Sequence, residues 1–231
     1  MLSPRLVGLF FTITLGTSFN YGFHSGVMNQ PLEMIEMFIA NVSRERGKTY
    51  DQGVITTLGS FCTTALVLGG MIGGGCGGII ANKVGRKKAV ILLFVPHAIG
   101  CLLMIICKAV KSFEVIIAGR IITGFACGAY TAVGPLYLAE VAPPRIRGGA
   151  CVLNHVIITA SIVISQVIGL RFVMGTEELW PYLIGFGVFP CFIGVALLLF
   201  YPDSPRYLFL VKNDRDAAES GISFFQTISF P

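Results

Sequence analysis

Six times between Leu6 and Tyr201 the chain runs apolar for long enough to cross a bilayer. The runs are about Leu6–Met28, Val54–Ala81, Ala89–Cys107, Val115–Leu138, Cys151–Leu170 and Trp180–Tyr201. A crossing takes roughly 20 apolar residues. Inside hydrocarbon each segment must satisfy its own backbone hydrogen bonds, which leaves the α-helix. Composition agrees, because only 13% of the residues are charged, against about 25% in a soluble domain. The expected fold is an all-α membrane protein with six transmembrane helices. The first run holds Asn20 and His24 and is followed by no convincing small-residue cleavage site, so it reads as a span and not as a signal peptide.

The net charge of +5 follows the membrane and is no nucleic-acid footprint. With the N-terminus placed in the cytoplasm, the inner segments hold Arg5, Lys83, Arg86, Lys87, Lys88, Arg145, Arg147, Arg206, Lys212 and Arg215. The outer segments hold Arg44, Arg46, Lys48, Lys108, Lys111 and Arg171. Ten against six satisfies the positive-inside rule. Asn41-Val42-Ser43 is a glycosylation acceptor, and this topology puts it in the first outer loop. The seven cysteines lie in or at the ends of spans with no C-x-x-C pair. Their spacing predicts neither a disulfide framework nor a metal site.

The stretch GGMIGGGCGGIIANKVGRKKAV, Gly69–Val90, contains the letters G-x-G-x-x-G at Gly73, Gly75 and Gly78. A dinucleotide site would need a preceding strand and an acidic residue about 20 positions later. No Asp or Glu lies between Asp51 and Glu114, and the glycines sit inside an apolar run. Their four-residue spacing fits another purpose. Gly69, Gly73 and Gly77, with Gly70, Gly74 and Gly78, make a smooth strip on a helix. Small residues at that spacing let membrane helices touch backbone to backbone. Gly70, Gly74 and Gly78 are expected to face another helix.

Arg120 is the one strong charge well inside a span, and such residues usually mark function. It begins a second glycine-bearing stretch, Gly119-Arg120-Ile-Ile-Thr-Gly124, which continues to Gly128. The chain therefore divides into two groups of three helices in opposite orientation, a common transporter plan. The inner loops gather Gly85-Arg86-Lys87, then Glu140-Val-Ala-Pro143-Pro144-Arg145-Ile-Arg147, then Pro202-Asp203-Ser204-Pro205-Arg206. Arginine–carboxylate pairs are directional. This cluster could latch helix ends together, or serve only as positive-inside anchors.

These motifs, with Leu179-Trp180-Pro181, stand in an order and spacing that resembles the amino-terminal half of a major facilitator superfamily sugar porter. It is close to the animal facilitative glucose transporter family. The resemblance covers about residues 5 to 212. It implies six helices as two inverted three-helix repeats, residues 1–201, followed by a cytoplasmic tail, 202–231, that begins an intracellular helical region. It implies a cytoplasmic gate of Arg86, Glu140, Arg147 and Arg206. It also places His155, Gln166, His24, Asn29 and Thr131 along the sugar path. The family usually has glutamine at 155, asparagine at 24 and glutamate at 203, so this chain departs at each.

A hexose presents hydroxyls that are both donors and acceptors, and a site for it needs amides, imidazoles and hydroxyls more than charge. His155 and Gln166 lie eleven residues apart, about three turns and roughly 16 Å by rise. One hexose does not bridge both, so His155 is expected to touch sugar and Gln166 to support the path. His97 matches no motif and receives no role. The resemblance would give a proton-coupled relative an aspartate where His24 stands, so facilitative uniport is expected over proton symport. No catalytic constellation and no cofactor site appear. The expected partners are a hexose or related small polyol, the lipid bilayer, and a carboxy-terminal six-helix half or another transporter chain. The alternative is a truncated, non-transporting product that perturbs full-length transporters. The expected location is the plasma membrane, with both termini cytoplasmic.

Overall fold

The structure, a computed structural model, describes residues 3–225, so residues 226–231 of the tail lie outside the described residues. The first span is α1 (Pro4–Gly16) and α2 (Ser18–Gly26), extended by a 3-10 turn, Val27–Asn29. Helix α3 (Leu32–Glu45) follows. Then come α4 (Gln52–Val84), α5 (Arg86–Val110), α6 (Glu114–Val141) and α7 (Arg147–Ile168). The sixth span is α8 (Trp180–Gly185) with α9 (Val188–Leu198), and the chain continues through α10 (Pro205–Leu210) and α11 (Arg215–Phe225). All six expected spans are helices long and apolar enough to cross a membrane. The first five spans run a few residues past the apolar core at one end or both, the sixth stops at Leu198, and polar caps help some of them start. Asp51, for example, accepts from Gly53 N at 3.2 Å to start α4.

The packing has the symmetry of an inverted repeat. The second span packs on the fourth (α4 on α6), and the fifth on the first (α7 on α2). The third packs on the fourth (α5 on α6), and the sixth on the first (α9 on α1). Exchanging spans one to three with four to six maps each contact onto the other. Glycines mark both copies. Gly119, Gly124 and Gly128 on the fourth span correspond to Gly16, Gly22 and Gly26 on the first, with one additional residue in the first. That residue falls at the helix break at Thr17, where φ is −124° and ψ −74°. Gly119 approaches Gly100, and Gly16 approaches Gly194, backbone against backbone.

The glycine strip is a helix contact, but its buried row is not the one expected. Gly69, Gly73 and Gly77 are buried, and a methyl on each would run into the carbonyl oxygens of Ile121, Phe125 and Ala129. A methyl on Gly70 or Gly74, at the border of the seam, would meet the carbonyls of Gly124 and Gly128 at ordinary contact distance, 3.7 and 3.8 Å. A methyl on Gly78 or Gly75 would meet nothing within 4 Å. A one-residue step turns a helix by about 100°, so two adjacent glycine rows are indistinguishable by spacing. Only the partner selects between them. The second copy of this contact uses small hydroxyls: Gly22 and Gly26 of α2 sit under Ser161 and Ser165 of α7.

Candidate functional site

At one end of the bundle the loops close on a connected polar cluster. Gly85 separates α4 from α5 with φ +100°, a conformation that favours glycine, and a side chain there would also strike Asp203. The next residue, Arg86, opens α5 and is buried. Its Nη2 donates to Glu140 Oε1 at 2.8 Å, the two side chains being 8% and 5% exposed. Its guanidinium lies 5.0 Å from the centre of the Tyr207 ring, and Nη1 donates to the Ala81 carbonyl at 3.4 Å. Glu140 ends α6, and its second oxygen accepts from Ser204 Oγ at 2.5 Å.

Ser204 is also the N-cap of α10, accepting from Tyr207 N at 3.4 Å, with Pro205 at the first helical position. Asp203 accepts from Lys87 N at 3.0 Å, so its carboxylate sits at the positive N-terminal end of α5. The Lys87 ammonium in turn donates to the carbonyls of Leu199 and Tyr201 at 2.9 and 2.7 Å. Tyr137 donates to the Pro202 carbonyl at 2.7 Å. These bonds tie together the ends of α4, α5, α6, α9 and α10.

Of the four expected gate residues, the structure pairs Arg86 with Glu140. Arg147 and Arg206 are exposed, and neither has an ion pair among the described residues. Both line a cavity of about 350 Å³ beside Glu140, together with Leu6, Pro143 and Phe209. The sequence reading missed Ser204 and Tyr207. The Ser-Pro cap signature was the available signal for the first. Asp203, which the resemblance treats as a shortened latch residue, works from this structure as a cap on α5.

Arg120 is fully buried in α6. Its Nη1 donates to the carbonyl of His24 at 3.0 Å, and Nε has no hydrogen-bond partner. The acceptor lies in the last turn of α2, where helix carbonyls run out of intrahelical donors and carry partial negative charge. Buried Ser18 and Asn154 hydrogen-bond to each other and join the first span to the fifth.

The five residues expected along the sugar path occupy different settings. Thr131 is exposed and lines a cavity of about 260 Å³ with Tyr21, Ser25 and Met71. That is smaller than the roughly 300–1,000 Å³ of a complete small-molecule site. His155 is exposed on α7 within a shallow apolar hollow that includes Val152, Val156 and Thr159, its Nδ1 3.2 Å from the Cys151 carbonyl. Gln166 is half-buried further along α7, and Asn29 is exposed in the 3-10 turn. His24 is 0% exposed and packs against His97, so no atom of it reaches an open face in this conformation. Tyr21 and Ser25, one turn apart on α2, were not singled out from sequence.

The other end of the bundle carries exposed pairs: Arg46 with Glu114 at 2.5 Å, Lys111 with Glu45 at 2.9 Å, and Arg171 with Glu33 at 3.5 Å. The hydrogen bond that Arg46 donates to the Glu114 carboxylate raises the already high pKa of Arg46. The sequon is in α3 and not in a loop: Asn41 is exposed, whereas Ser43 is buried.

Residues 9–227 match the family described as sugar (and other) transporter. Two relatives are described as solute carrier family 2, facilitated glucose transporter member 3. The Rattus norvegicus protein is 38% identical over 220 residues and the Homo sapiens protein 36% identical over 221. Each match takes in 94% of this chain and 44% of the relative, so the chain spans less than half the length of these curated relatives. Among solved structures, the proton:xylose symporter XylE bound to 6-bromo-6-deoxy-D-glucose superposes with a TM-score of 0.86 at 20% identity, covering 98% of this chain and 50% of that one. A partially occluded inward-open form of the xylose transporter XylE from E. coli gives 0.84 at 21% identity, covering 95% and 53%. At that identity the likeness is one of fold.

Proposed function

The chain belongs to the family of sugar (and other) transporters, and from that premise we propose that it supplies the amino-terminal six helices of a facilitative hexose transporter working by alternating access. The observation that carries the proposal is the Arg86–Glu140–Ser204 latch. It joins helix ends through side chains and caps, so it can open without unfolding any span. The glycine seams join the second span to the fourth and the first to the fifth, so the six helices are packed as one body, which suits rocking of that body against a second half around a midplane site.

The charges support uniport. All twelve Asp and Glu residues lie at helix ends or in connecting segments. Arg120, the one charge deep in a span, is met by a backbone carbonyl. No carboxylate is therefore placed to carry a proton through the membrane centre. The substrate is a hexose or related polyol because the open faces carry neutral hydrogen-bonding groups: His155 as the sugar contact, Thr131 with Tyr21 and Ser25 as cavity wall, and Gln166 and Asn29 along the path. The second half docks on α4 and α7, whose apolar windows are only 33% and 17% buried. The latch end faces the cytoplasm with both termini, the plasma membrane is the location, and Asn41 on the opposite end accepts a glycan.

The test is hexose exchange by this chain joined to a carboxy-terminal six-helix half. His155→Ala raises the apparent KM more than Gln166→Ala does. Equal effects would remove His155 as the contact. No flux in the joined protein, together with reduced flux when the chain is co-expressed with a full-length transporter, would instead favour a non-transporting regulator.

A further inference from the structure

His24, His97 and Cys101 form a closed cluster where the first span meets the third. His24 lies on α2, and His97 and Cys101 lie one turn apart on α5. One donor atom from each residue lies within 4.8 Å of the other two, and all three residues are 0% exposed. His24 Nε2 and Cys101 Sγ are 3.7 Å apart. The two imidazole rings meet edge to face with centroids 5.1 Å apart. A metal bound at about 2.0 Å from nitrogen and about 2.3 Å from sulfur holds such atoms roughly 3.5–3.7 Å apart at tetrahedral to trigonal angles. The His24–Cys101 pair already has that separation.

A second observation points to a ligand. Nδ1 of His24 is buried without a hydrogen-bond partner, and the ring nitrogens of His97 make none of good geometry, with only a weak contact to the Gly187 backbone. Buried polar atoms are almost always paired, and each exception calls for a cause. Gly187 leaves the space that the His24 ring occupies, because a methyl there would collide with its Nε2.

We propose that His24, His97 and Cys101 bind one soft monovalent metal ion, Cu+, which clamps the first span to the third. Thiolate and imidazole donors select cuprous copper. Charge makes the same choice. The Arg120 guanidinium is buried close by, bonded to the His24 carbonyl, with no carboxylate partner among the described residues. A thiolate, two neutral imidazoles and Cu+ sum to zero. Zn2+ on the same donors leaves a net positive charge beside Arg120, which is costly away from water. On binding, the Cys101 S–H bond breaks, its proton passes to water and an S–Cu bond forms. No electrons move, so the ion must arrive already reduced. His24 lies 73 positions from His97 and 77 from Cys101, which is why cysteine spacing predicts no metal site.

The test uses the 231-residue chain, purified anaerobically in detergent and titrated with Cu+ against a competing cuprous chelator. The expected result is one equivalent per chain, with X-ray absorption showing one sulfur and two nitrogen neighbours. Loss of an outer-sphere partner alone weakens sites by roughly 10–100-fold. Cys101→Ser and His97→Ala should therefore each weaken binding about 100-fold or more, while Cys191→Ala leaves it unchanged. Circular dichroism and gel filtration identify variants that have kept the fold, and His24→Asn provides a milder ligand deletion if either of the others fails. Binding that survives both Cys101→Ser and His24→Asn would overturn the proposal. So would no Cu+ retained by the folded chain, or Zn2+ held in preference to Cu+.

Discussion

Replacing Glu140 with glutamine keeps the shape of the latch and removes its charge. Arg86 and Glu140 are 8% and 5% exposed, so the guanidinium would remain in a poorly solvated site with its counter-charge gone. Breaking one partner of a buried pair costs about 3–5 kcal/mol. The amide still accepts from Ser204, and Arg86 keeps the Ala81 carbonyl and the Tyr207 ring. Those remaining contacts reduce the expected loss to about 2–3 kcal/mol, which is roughly a 30–150-fold increase in the open population. Hydrogen exchange of the α10 amides reads that opening, because α10 is held at the bundle end through Ser204 and Tyr207. Exchange of Leu208, Phe209 and Leu210 should accelerate by that factor while the middle of α6 is unchanged. Acceleration of less than about threefold, or equal acceleration throughout α6, would show that the Arg86–Glu140 pair does not hold the end closed.

Gly73→Ala should lower the detergent melting temperature by several degrees, since the methyl meets the Phe125 carbonyl. Gly75→Ala, with nothing within 4 Å, should be neutral or raise stability by up to about 1 kcal/mol through helix propensity; equal melting temperatures would remove the seam argument. Asp203→Asn should destabilise the first turn of α5 by roughly 0.5–1 kcal/mol, seen as faster exchange at Lys88 and Ala89 with the centre of α5 unaffected. Lys111→Ala removes an exposed pair whose partners are 66% and 58% exposed, so its cost should stay below about 1 kcal/mol. A larger loss would mean that this end of the bundle is more tightly held than its exposure indicates.

Span number, span position and the division into two triplets were legible in the sequence because bilayer thickness and backbone hydrogen bonding leave a chain like this few choices. Arg86 and Glu140 were legible as a possible latch because their motifs cluster in the inner loops. The choice of Gly73 over Gly74 was not legible, because neighbouring rows share one spacing and only α6 distinguishes them. The role of Asp203 at α5 was hidden for a related reason: its partner lies 116 positions away. His97 looked silent because His24, whose ring meets its own, lies 73 positions away on the first span, and Cys101, one turn along α5, has no meaning as a donor without it. The sequon appeared to sit in a loop, but apolar residues at Ile35, Ile39 and Val42 bury one face of α3 and carry Ser43 inward with it.

One half of a hexose uniporter has a defined exchange signature. Radiolabelled glucose exchange in proteoliposomes tests it, with the chain alone, the carboxy-terminal half alone, and the two joined. The joined protein should show saturable exchange that a proton gradient neither drives nor stops, and each half alone should match empty vesicles. Saturable exchange by the chain alone, or uphill accumulation driven by a proton gradient, would contradict it.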